Sequence, residues 1–94
     1  MKKIYNELVD MLKKKNSIYD HIYITLDTKK TQINMTIKVL YLDIYPDGVE
    51  IADDSCEISI DNNNWEYNED ENGYFSTNEN GTLAIYINNP ADHI

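Results

Sequence analysis

The amino-acid sequence predicts an α+β fold, with an N-terminal amphipathic helix packed on a five- to six-stranded, mostly antiparallel β-sheet. Three observations carry this expectation. One early segment spaces its apolar residues for a helix, while every later apolar run alternates with a period of two. Turn signals separate those runs: YPDGV, Asn72-Gly73 and Asn80-Gly81. Finally, 94 residues with 41% hydrophobic content suffice for one modest core, and no repeat or linker divides them. One domain over 1–94 is the expectation, with a helix at about 3–15, a β-meander at about 18–88 and a frayed end at 89–94.

The helix comes first. Ile4, Tyr5, Leu8, Val9, Met11 and Leu12 fall on one face, and Lys3, Glu7, Asp10, Lys13 and Lys14 fall on the other. Lysines in the last turn suit the negative end of the helix dipole, and Asn16 reads as a left-handed cap. Next, Ile22, Ile24 and Leu26 alternate with Tyr23, Thr25 and Asp27, and TKKT turns the chain. Ile33, Met35, Ile37 and Val39 share one parity, but Leu40, Leu42 and Ile44 take the other. That slip calls for a bulge near Val39-Leu40, or for burial on both faces. In YPDGV, Pro46 presets the turn and Gly48 is free to take a positive φ. Val49 and Ile51 open a return strand, ADDS interrupts it, and Cys56, Ile58 and Ile60 resume. The closing strands contain Trp65 and Tyr67, Tyr74 and Phe75, then Leu83, Ile85 and Ile87. Pro90 ends the last of them.

Charge is distributed unevenly. The formal net charge is −9, and all eight basic residues are lysines within the first 38 positions. Residues 39–94 hold thirteen carboxylates and neither lysine nor arginine. Such a surface repels nucleic acid and attracts basic protein. A single cysteine, Cys56, forms no internal disulfide and fits a reducing cytoplasm. The charged start MKKIYNELVDMLKKKN lacks the apolar region of a signal peptide, and no run is long enough for a membrane span.

The stretch NEDENGYFSTNE orders Asn68, Asp70, Asn72, Gly73, Ser76 and Glu79 almost like a calcium-binding EF-hand loop. Its flanks, DNNNWEY and NGTLAIYI, are asparagine-rich and β-patterned, not helical, so a hairpin turning at Asn72-Gly73 explains more. In that hairpin Trp65, Tyr67, Tyr74, Ile85 and Ile87 share one face, with Glu66, Asn68 and Asp70 on the other or at the rim. The hairpin does not account for Glu66, Glu69, Asp70 and Glu71 standing so close together, since like charges across strands destabilise. Enzymatic chemistry is not expected. Carboxylate pairs are too numerous to be specific, His21 and His93 have no partners at metal-ligand spacing, Cys56 sits at a core parity, and no phosphate loop or nucleophile elbow occurs. No metal or cofactor is expected. Tyr41, Asp43 and Tyr45 share one strand face, an aromatic–acid–aromatic row suited to a lysine- or arginine-rich partner.

In layout and composition the chain resembles the small acidic phage proteins called anti-CRISPRs, especially those acting on single-protein RNA-guided nucleases. The residues that carry the likeness are the N-terminal helix KKIYNELVDMLKK, the meander after it, and the late segment WEYNEDENGYF, which mixes aromatics with carboxylates. The resemblance spans the whole chain in outline and rests on no diagnostic motif. It implies a cytoplasmic inhibitor, acting in the host cell, that mimics nucleic acid on a basic DNA- or RNA-binding protein. Arginines that read base edges would be occupied by carboxylates. Glu57 and Asp61 from one strand, with Glu66, Glu69, Asp70 and Glu71 from the next hairpin, would form the anionic array. The runner-up is an immunity protein neutralising a cationic toxin; a calcium-binding domain using Asp70, Asn72 and Glu79 follows, and a carboxylate hydrolase comes last.

Overall fold

A computed structural model describes residues 3–88; the expected frayed end 89–94, with His93 and Pro90, lies outside the described residues. The order of elements is α1 (Lys3–Ser17), β1 (His21–Thr28), β2 (Gln32–Lys38), β3 (Tyr41–Tyr45), β4 (Gly48–Ala52), β5 (Glu57–Asp61), β6 (Trp65–Asn68), β7 (Gly73–Asn78) and β8 (Gly81–Tyr86). The α+β expectation holds, with every strand pairing antiparallel. The strands divide, however, into a five-stranded sheet in the order β2-β1-β8-β7-β6 and a three-stranded sheet in the order β3-β4-β5. The shorter sheet is an excursion between β2 and β6, and β8 closes the longer one by pairing with β1.

This division explains the slip in parity. The chain leaves the longer sheet after Lys38 and enters the shorter one at Tyr41, so Val39-Leu40 is a crossing between sheets and not a bulge. The crossing is held from several sides. Val39 donates its N–H to the Asp20 carbonyl at 2.9 Å, Leu40 donates to the Ala52 carbonyl at 3.2 Å, and the Asn16 amide donates to the carbonyls of Val39 and Leu40 at 3.2 and 3.1 Å. Asn16 is therefore a tie and not the helix cap. The cap is Tyr19, at φ 52°: its N–H reaches the Asn16 carbonyl while the Asp20 N–H reaches the Lys15 carbonyl, a Schellman pair. A second crossing runs through Asn62–Asn64, where Asn64 takes φ 57° and the Trp65 indole N–H donates to the Asp61 carbonyl at 2.7 Å.

Both sheets turn their apolar faces to one core. Cross-strand registers place Ile22 opposite Ile37, Ile24 between Met35 and Ile85, and Tyr74 opposite Ile85 on the longer sheet. On the shorter sheet, Ile51 lies between Leu42 and Ile58, and Val49 opposite Ile60 on one side and the exposed Ile44 on the other. The helix contributes Tyr5, Leu8, Val9, Met11 and Leu12 to the same cluster, and it packs against β6 and β3. Burying a side chain such as Leu8 or Ile51 stabilises the fold by about 1.5–3 kcal/mol. Lys15 is also buried, and its ammonium is satisfied by Asp20 at 3.0 Å.

Candidate functional site: two solvent-facing sheet surfaces

With the apolar parity of each strand turned inward, the other parity builds two outer faces. On the shorter sheet, the registers arrange that face in three rows: Tyr41–Ala52–Glu57, Asp43–Glu50–Ser59 and Tyr45–Gly48–Asp61. The two-residue turn Pro46–Asp47 sets the first pairing, and an Asx turn sets the second. Asp53 Oδ1 accepts the N–H groups of Ser55 and Cys56, both at 2.7 Å. These N–H donors hold the Asp53 carboxyl below its ordinary value. Neighbouring strands stand about 4.8 Å apart and alternate residues about 6.5–7 Å, so the carboxylates of Asp43, Glu50, Glu57 and Asp61 form a close-set grid. No lysine lies on it.

The titration of this face reflects its field. Contact with the Glu57 carboxyl, which only a protonated partner can donate to, raises Glu50 above its ordinary value; burial and the charges of Glu57 and Asp43 add to the shift. The Tyr45 phenol is likewise pushed up, first by Glu50 and then by burial, Asp43 and Glu57. Five predicted residues, Tyr41, Asp43, Tyr45, Glu57 and Asp61, thus share one surface. Glu50, which sequence reasoning missed, stands at its centre. Its signal was available: a two-residue turn at Pro46–Asp47 pairs Tyr45 with Gly48, and that register puts Glu50 opposite Asp43. Gly48 owes its place to packing and not to a positive φ, because a Cβ would fall 2.2 Å from the Ile60 carbonyl oxygen.

Glu66, Glu69, Asp70 and Glu71 lie elsewhere. Strand β6 belongs to the longer sheet, so Glu57 and Asp61 do not run on into Glu66 as one sheet array. Asn72-Gly73 is not the two-residue turn either. Residues 69–72 make the turn, Asn72 takes φ 54°, and Gly73 already pairs with Asn68. Trp65, Tyr67 and Tyr74 share the inner face as the alternation predicts, while Glu66 and Asn68 look outward. The calcium-like series is pulled apart by β7: Asp70 and Asn72 precede the strand and Glu79 follows it, roughly 20 Å away along an extended segment of that length. Among the described residues, no group of three or more His, Cys, Asp and Glu side chains is placed to hold a metal ion. His21 is exposed, 3.9 Å from Asp20, and Cys56 is half-buried against the core. No helix among the described residues is long and apolar enough to cross a membrane. The chain matches no protein-family model, no curated protein and no solved structure.

Proposed function

We propose that this protein is a non-enzymatic inhibitor whose acidic surface mimics nucleic acid and occupies the basic DNA- or RNA-binding site of a partner protein. The observation that carries this reading is the lysine-free grid on the shorter sheet, where Asp43, Glu50, Glu57 and Asp61 are flanked by Tyr41 and Tyr45. A surface with that much uncompensated charge costs stability through self-repulsion, and a cationic partner converts the cost into binding energy. The two tyrosines are 57% and 47% exposed, ready to bury apolar area with few torsions to freeze. Hydrogen-bonded strands hold the carboxylates in place, so little ordering entropy is lost when arginines pair with them.

The resemblance to anti-CRISPR proteins narrows the partner class to CRISPR nucleases. Asp43, Glu50, Glu57 and Asp61 would occupy arginines that otherwise contact the target duplex, and Glu66, Glu69, Asp70 and Glu71 would extend the negative field on a second face. Steering by this field speeds capture at low salt, and added salt slows it.

The test mixes the purified protein with single-protein RNA-guided nucleases and follows DNA binding and cleavage on gels at several salt concentrations. Salt-sensitive loss of DNA binding supports the reading, and a combined Asp43→Asn, Glu57→Gln, Asp61→Asn variant loses that inhibition. Unimpaired nucleases throughout would refute the nuclease assignment. Capture of a cationic toxin in its place would transfer the same surface to an immunity function.

A further inference from the structure

The outer face of the longer sheet carries an arrangement that charge alone does not explain. Strands β1, β8 and β7 bring Tyr23, Tyr86 and Phe75 together. The Tyr23 and Tyr86 ring centres are 5.8 Å apart and tilted, and Phe75 meets Tyr86 edge-on at 5.5 Å. Small residues lie beneath these rings. Tyr86 stands opposite Gly73, where a Cβ would fall 2.8 Å from Tyr86 Cδ1 and 3.2 Å from Phe75 Cε2. Ala84, between Thr25 and Phe75, is 2% exposed although its strand face looks away from the core. The rings therefore form a half-buried aromatic row across the sheet, with Phe75 set nearly perpendicular to Tyr86 at 89°.

Acid closes one end of that row. Glu66 is directly opposite Phe75 in register, and the 69–72 turn completes a cleft of about 560 Å³ lined by Phe75, Glu66, Glu69, Asp70 and Glu71. Burial raises the Tyr86 phenol, and the nearby Glu71 charge raises it further. The one lysine on the strands of this sheet is at its far edge, where Lys38 on β2 stands opposite His21 on β1.

We propose that this cleft docks an arginine side chain of a basic protein partner, its guanidinium plane on the Phe75 ring and its N–H groups on Glu66 and the 69–71 carboxylates. This rests on the basic-partner reading above and adds to it a second surface and a residue type. Guanidinium is planar and weakly hydrated, so it stacks on a ring while its edge pairs bidentately with a carboxylate. A lysine ammonium is a compact, strongly hydrated charge that does not do both. Nucleobases would also stack on such a row, but their phosphates would meet the four carboxylates of the cleft.

The experiment titrates the ¹⁵N-labelled full chain with an Arg-Gly-Ser repeat peptide and with a Lys-Gly-Ser peptide of equal length and charge. The expected result is that the arginine peptide shifts the resonances of Glu66, Phe75 and Tyr86 and binds roughly three- to tenfold tighter than the lysine peptide. Phe75→Leu and Glu66→Gln each remove that preference, with spectral dispersion confirming that both variants fold. Equal binding of the two peptides, shifts confined to residues 41–61, or equal shifts with an oligouridine would overturn the proposal. Concentration-dependent shifts of these resonances without peptide would overturn it in favour of self-association. The two proposals fail separately. Nuclease inhibition unaltered by Phe75→Leu overturns the arginine site and leaves the inhibitor standing; arginine-selective shifts with every nuclease unimpaired do the reverse.

Discussion

On the shorter sheet, the solvent-facing positions hold Asp43, Glu50, Glu57 and Asp61, standing off a surface whose small residues are Gly48 and Ala52. On the longer sheet, the equivalent positions on β1, β8 and β7 hold Tyr23, Tyr86 and Phe75, packed against one another beside Gly73 and Ala84. One alternation rule generates both faces, yet they do different physical work. The first concentrates like charge and raises the pKa of Glu50 and Tyr45. The second covers its own backbone and keeps only a rim of acid. Charge on the first face can be removed without disturbing the core, whereas the rings on the second are part of what seals the sheet. Surface charge and stability are thus separable on one face, whereas the rings of the other face are part of its stability.

The largest expected effect tests whether the two faces share a foundation. Ile51→Ala beneath the shorter sheet and Ile85→Ala beneath the longer one, both fully buried, are each expected to cost about 2–5 kcal/mol. Denaturant unfolding followed by both tryptophan fluorescence and circular dichroism is expected to show one transition. Separate transitions would mean that the sheets are independently stable.

Glycine substitution sharpens the contrast at the next level. Gly48→Ala drives a Cβ to 2.2 Å from a backbone carbonyl that β4–β5 pairing holds fixed, and is expected to cost about 1–3 kcal/mol. Gly73→Ala meets the edge of the Tyr86 ring at 2.8 Å, and the ring can swing away. A smaller loss of stability is expected there, with a visible change in the near-ultraviolet tyrosine signal.

Acid–base behaviour separates Glu50 from two loop aspartates by sign. Glu50 has a raised pKa in the folded protein, so folding is favoured as pH falls from neutral toward that value, and the gain is lost again as pH rises through it. Glu50→Gln is expected to retain the gain at neutral pH, read as a higher Tm and a flatter pH profile. Asp20 and Asp53 have lowered values, Asp20 through the His21 N–H and then Lys15, and Asp53 through the Ser55 and Cys56 N–H groups. Their contribution is present above the ordinary aspartate value of 3.8 and disappears as pH falls through their folded values. Thermal melts across pH are expected to show a mildly acidic optimum and a fall below about 3.8. The smallest stability effect belongs to Asp43→Asn. It relieves repulsion at an exposed site, so Tm is expected to stay level or rise slightly, while binding to the proposed basic partner is expected to weaken.

Local patterns made much of this legible. The helix, the inward parity of Ile22, Ile24, Ile37, Ile51 and Ile85, and the grouping of Tyr41 with Asp43 and Tyr45 all follow from spacing along one segment. Glu50 was readable from the length of the Pro46–Asp47 turn. What did not follow was any relation between segments far apart in the chain. The parity slip at Val39-Leu40 marks a change of direction, but a bulge and a move to another sheet leave the same trace in the residues. Asn72-Gly73 suits a tight turn, yet here Gly73 serves the Tyr86 ring, which reaches it from a strand thirteen residues onward.

By itself the sequence determined the helix, the strand faces and the total charge, because periodicity and composition are properties of neighbours and of sums. Only the tertiary structure decided that β8 joins β1, that β5 and β6 part into different sheets, and that the carboxylates therefore gather on two surfaces in place of one. Strand partnership depends on which distant apolar faces bury one another best. That choice belongs to the whole chain and is written in no single stretch of it.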